Sequence, residues 1–116
     1  MRTTDPGKFL PLPAAQFHIL AALSAGELHG YAIMQEVEAA SGGVVKIGPA
    51  TLYGTLKRLV EQGLAEERPR PASPGEDARR RYYRLTELGA GVCAAEAGRL
   101  ASLARFAQAN LKPGLA

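Results

Sequence analysis

The stretch Gly48-Pro49-Ala50-Thr51-Leu52-Tyr53-Gly54-Thr55-Leu56-Lys57-Arg58-Leu59-Val60-Glu61-Gln62-Gly63-Leu64 decides the fold, because it spells out a helix together with both of its ends. Gly48 suits the N-cap, and Pro49 the first helical position, where a backbone N–H would have no partner anyway. Gly63 suits the left-handed position just past a helix C-terminus. Leu52, Leu56, Leu59 and Val60 recur at helical spacing, which predicts that this stripe packs on a core. The opposite face collects Ala50, Gly54, Lys57, Arg58 and Glu61, flanked by Thr51 and Tyr53. Small residues let a backbone approach base edges, while Thr, Lys and Arg supply donors. Such a face suits the major groove of duplex DNA, although any solvated helix carries similar charges. Gly54 tilts the choice. A mid-helix Gly costs about 1 kcal/mol relative to Ala, so a packing or close-approach reason is expected.

Outward from this helix, the rest of the chain falls into a definite order. Pro13 opens a helix with Phe17, Leu20 and Leu23 on one stripe and Ile19 beside it. Residues 24–28 break the pattern. A second helix runs from His29 or Gly30 to Ala40, with Ile33, Val37 and Ala40 on one face, and Ser41-Gly42-Gly43 stops it. Val44-Val45-Lys46-Ile47 is short and β-branched, which predicts a small strand. After Gly63, residues 64–68 read as a strand, residues 69–77 as a Pro-rich loop, and residues 79–85 as the returning strand. Alternation puts Tyr83 and Leu85 on one face of that strand, Tyr82 and Arg84 on the other.

Thr86 caps a final helix that reaches about Leu111. At roughly 25 residues it would span close to 37 Å, longer than so small a domain needs. Its apolar stripe includes Leu88, Val92, Leu100, Leu103 and Leu111, with Phe106 adjacent, and a second copy of the chain is the expected partner. The fold class is therefore mainly α with a small β-wing: a winged helix-turn-helix plus a long C-terminal dimerisation helix. Residues 1–12 read as a flexible leader, 13–86 as the winged domain and 87–116 as the dimerisation helix.

Composition narrows the chemistry. At 116 residues the chain is long enough for one modest core. A net charge of +3 and an isoelectric point near 9.3 permit nucleic acid as a partner. No apolar run reaches the roughly 18 residues of a membrane span, and residues 1–13 lack an export signal. The single Cys93 excludes an internal disulfide and fits a reducing cytoplasm; between Val92 and Ala94 it reads as a small buried apolar residue.

Other chemistries find no support. A phosphate-binding loop needs Lys and then Ser or Thr after its second Gly, whereas Gly54 is followed by Thr55 and Leu56. His18 and His29 lie apart with no Cys or carboxylate cluster beside them, so no metal site and no cofactor are expected. His29 reads as a helix-start residue. Glu66-Glu67 and Glu76-Asp77 are neighbours on an exposed strand and loop, solvated rather than an acid/base couple. No enzyme is expected.

Four motifs in order, His29-Gly30-Tyr31-Ala32-Ile33, Gly48-Pro49-Ala50-Thr51-Leu52-Tyr53, Leu56-Lys57-Arg58-Leu59 through Gly63-Leu64, and Arg81-Tyr82-Tyr83-Arg84-Leu85-Thr86-Glu87-Leu88-Gly89, resemble the PadR family of transcriptional regulators. One final helix places the chain nearest its short subgroup. The resemblance implies a homodimeric repressor and a small-molecule effector near the dimer interface. Two features depart from the family. Asp77-Ala78-Arg79-Arg80-Arg81 stands where Gly-Arg often precedes the second wing strand, and the chain has no Trp, so drug binding between paired indoles does not carry over. The resulting expectation is a sequence-specific regulator reading an inverted-repeat operator. Thr51, Tyr53, Gly54, Lys57 and Arg58 face the DNA, and Arg68, Arg79 and Arg80 of the wing touch phosphates. The alternative is a winged helix that binds protein and no DNA; it should lack the basic centre and the wing arginines, both present here.

Overall fold

The computed structural model of the chain describes residues 5–69 and 81–111. Four helices, α1 (Ala14–Leu23), α2 (Gly30–Ala40), α3 (Pro49–Glu61) and α4 (Glu87–Asn110), combine with strands β1 (Leu28–His29), β2 (Ala65–Pro69) and β3 (Arg81–Leu85). The sheet is antiparallel in the order β1-β3-β2, with Glu66 opposite Arg84 and Glu67 opposite Tyr83. This is the winged helix-turn-helix with a long final helix.

Local chemistry sets the element ends where the sequence marks them. Gly48 caps α3 and Pro49 opens it. At the other end Gly63 takes φ +79°, its N–H bonding Val60 O at 3.0 Å while Leu64 N bonds Leu59 O at 2.9 Å. These two bonds form a Schellman motif, which satisfies carbonyls that the helix end leaves open. Gly42 and Gly43 close α2 in the same way, through Ala39 O and Glu38 O. His29 caps α2, its Nδ1 accepting from Ala32 N at 3.2 Å, as its position in the sequence suggests.

The core is built from Ile19, Leu20 and Leu23 of α1, Ile33 and Val37 of α2, and Leu52, Leu56 and Leu59 of α3, all at most 2% exposed. Val60 departs from its expected place. It lies 36% exposed on the rim of the α3 stripe, 100° round the helix from Leu59. Ala40, at the end of its stripe, is also exposed.

The predicted strand at residues 44–47 does not form. Ser41 Oγ accepts from Val45 N at 2.9 Å and lies 3.3 Å from Val45 O, so a hydroxyl takes the groups that a ladder would use. The free edge of β3 goes to Leu28 and His29 instead. Tyr82 and Tyr83 are both buried, against the expected alternation. β3 is the middle strand, and the His29 ring meets Tyr82 edge-on at 5.5 Å.

The leader, expected to be flexible over residues 1–12, also differs. Residues 5–12 are docked, not loose: Asp5 caps the 3-10 turn Pro6–Phe9, Pro6 lies against Gly91 of α4, and Leu12 is buried. Phe9 and Leu10 pack against the core.

Candidate nucleic-acid interface

Helix α3 presents its polar face outward. Ala50, Thr51, Tyr53, Gly54, Lys57 and Arg58 are all exposed, as the sequence places them. Among the described residues Lys57 and Arg58 form no ion pair, so both charges remain available. A Cβ added at Gly54 would meet nothing within 4 Å. Packing among the described residues therefore does not require the missing side chain.

Tyr53 does more than face outward. Its phenol lies over Gly30 at the start of α2, so closely that a Cβ there would sit 2.8 Å from Tyr53 Cζ. The side chain thus sets the spacing of α2 and α3 while remaining 49% exposed.

A groove runs along each flank of α3. On the wing side, Tyr53, Lys57, Val60, Glu67, Arg81 and Tyr83 line a space of about 510 Å³. Burial raises the Tyr83 phenol above its ordinary pKa, with Glu67 and then Tyr53 adding to the shift and Arg81 opposing it. On the other flank, the first turn of α1 faces Thr51, Gly54, Thr55 and Arg58 across about 280 Å³.

The wing is less basic than its arginine count suggests. Glu66 pairs with Arg84 at 2.6 Å and Glu67 with Arg81 at 2.7 Å. The two glutamates expected to be merely solvated are cross-strand partners that neutralise wing charge. Arg68 is exposed on β2, whereas Arg79 and Arg80 lie outside the described residues.

Residues 19–95 match the transcriptional regulator PadR-like family. The chain belongs to that family. A relative in Streptomyces fradiae, an uncharacterised 37.1 kDa protein in transposon TN4556, is 39% identical over 103 residues, 89% of this chain and 25% of its own length. The chain therefore spans a quarter of that relative. Among solved structures, a transcriptional regulator from Clostridium thermocellum superposes with a TM-score of 0.70 at 22% identity, covering 97% of this chain and 100% of its own. PcaV, a transcriptional regulator from Streptomyces coelicolor solved with its natural ligand, gives 0.71 at 24%, covering 90% and 66%. At those identities the likeness concerns the fold.

The long helix of this PadR-like chain divides into two parts. Thr86 Oγ1 accepts from Gly89 N at 2.9 Å and donates to Gly63 O at 2.6 Å, tying the start of α4 to the end of α3. From there Gly89, Val92, Cys93 and Glu96 are buried, and burial raises the Cys93 thiol above its ordinary pKa. Val92, expected in a dimer seam, belongs to the chain's own core, and Leu88 packs against it. Both lie in the first two turns, where α4 still crosses the domain. Beyond Leu100, itself half-buried, every described residue is exposed, including Leu103 at 54%, Phe106 at 68% and Leu111 at 55%.

One side chain escaped the sequence reading. Glu96 is 2% exposed; its carboxylate accepts from Arg99 at 2.6 and 2.9 Å and from Leu12 N at 3.1 Å. The Arg99 hydrogen bonds hold its carboxyl below the ordinary glutamate range against the opposing effect of burial, and Leu12 assists. A Glu three residues before an Arg is a common surface pattern, so nothing in the sequence marked it. No described helix is long and apolar enough to cross a membrane.

Proposed function

We propose that the chain is a sequence-specific, homodimeric repressor that binds duplex DNA through α3 and answers to a small molecule. The observation that carries the reading is the outward face of α3. Among the described residues, Lys57 and Arg58 stand there without ion pairs, beside a glycine with open space over it. A helix in the major groove uses such donors on base edges and phosphates. Dimerisation is supported by the far end of α4, where Leu103 and Phe106 lie uncovered. Responsiveness to an effector rests on the family resemblance and on PcaV, solved with its natural ligand.

Lys57→Ala and Arg58→Ala should each weaken binding to DNA taken from upstream of the protein's own gene. Mobility shifts across a salt series sort the causes. A lost phosphate contact lowers the log–log salt slope by about 0.9, whereas a lost bidentate base contact costs about 1–3 kcal/mol and relaxes one position of the site. Binding unchanged in both variants would remove α3 from the interface and favour a protein partner instead.

A further inference from the structure

The groove between α1 and α3 holds polar groups that the chain itself leaves unsatisfied. Helix α1 starts at Pro13 with no side-chain cap, so its first amides, which have no intrahelical acceptor, go without one. Gln16, in that same turn, is 5% exposed, lines the groove, and has a side-chain oxygen with no hydrogen-bond partner. Buried polar groups are nearly always paired, and an exception asks for a reason. Across the groove stand the Thr51 and Thr55 side chains and Arg58, and no carboxylate lines it.

We infer that this groove seats a backbone phosphate of duplex DNA, an assignment that rests on the DNA-binding reading above. A helix lying in a major groove about 12 Å wide has base edges beneath it along the groove floor and a sugar–phosphate strand along each flank. The α1 side of α3 is one such flank. Open amides at a helix N-terminus suit an anion, and Arg58 supplies the charge. A carboxamide has a donor end and an acceptor end. The Gln16 oxygen is the end closed off inside the protein, so the NH2 is the end that offers a donor to a phosphate oxygen in the groove. The open amides of α1 and the Gln16 NH2 are then contacts of the bound protein. On this assignment Arg58 positions the helix and reads no base.

Two substitutions separate binding from stability. Gln16→Met keeps the volume and removes the unpaired amide; Pro13→Asn supplies a side-chain cap for the open amides. Both should leave the thermal midpoint unchanged or raise it. Both should weaken binding roughly tenfold, the scale of a hydrogen bond to a charged group, on upstream DNA and on a scrambled duplex alike. The salt slope should keep its wild-type value, because Arg58 still supplies the charge that releases the counterion. Folded variants that bind with the wild-type affinity overturn the phosphate seat and leave DNA binding by α3 intact. A folded wild type that binds neither duplex overturns the DNA-binding reading itself, and the seat with it.

Discussion

Two glycines of similar appearance in the sequence do opposite work. A Cβ on Gly89 would lie 2.7 Å from the Leu64 carbonyl carbon and closer still to its oxygen. Helix α4 can start against the end of α3 only because that Cβ is missing. Gly89→Ala should destabilise the fold by about 1–3 kcal/mol, the scale of overpacking, and lower the thermal midpoint. At Gly54 the space is open, and Ala is the better helix former by about 1 kcal/mol. Gly54→Ala should therefore raise the midpoint. If DNA approaches the backbone there, the same variant should bind upstream DNA less tightly, and equal or tighter binding would show that the glycine serves no approach. The sequence offered a reason to look at Gly54 but could not separate packing from approach, because that depends on what lies above the helix.

At the scale of elements, the leader and α4 are joined by Glu96. Its carboxylate serves Leu12 N and Arg99 together, and this holds its pKa below the ordinary value of 4.5. A lowered folded-state pKa gives stability that is fully present above the unfolded value and is lost as pH falls through the folded one. Wild type should therefore exceed Glu96→Gln in thermal midpoint at neutral pH, and the gap should close in acid. A gap constant down through the acid range would show that the charge contributes nothing to the clamp. The helices were legible in the sequence because their caps are local: Gly48, Gly63, Thr86 and the pair after Ser41 act on their own neighbours. The residue 44–47 strand and the docked leader were not legible. Ser41 captures Val45 from within the loop, and residues 5–12 are held by α4 and the core, distant along the chain.

For the whole molecule, the decisive feature is that α4 outlasts its domain. Twenty-four residues extend about 36 Å at 1.5 Å per residue, and the chain measures 56 Å along its longest axis. Leu100, Leu103 and Ala107 continue the buried line of Val92 and Glu96 at helical spacing, but with no domain left beneath them. If a second copy covers this stretch, replacing Leu103 and Phe106 together with Glu should place carboxylates in the seam and dissociate it, because an unpaired buried charge is strongly destabilising. Sedimentation should then report monomers. Two-fold symmetry would also require half-sites one helical turn apart, roughly 34 Å, or a multiple of that spacing, and the monomer should lose preference for such a site. A double variant that sediments as a dimer would place the interface elsewhere.

The sequence by itself determined the helices and their ends, the hairpin, and the residues on the outer face of α3. Turn chemistry and 3.6-residue periodicity act over a few neighbours and leave their marks in order along the chain. Tertiary structure decided what each apolar stripe meets. Val92 and Leu103 lie on one face of one helix, yet one is core and the other bare, because the domain ends between them. It also decided which charges remain available. Glu66 and Glu67 meet Arg84 and Arg81 only when β2 lies beside β3, whereas Lys57 and Arg58 form no ion pair among the described residues.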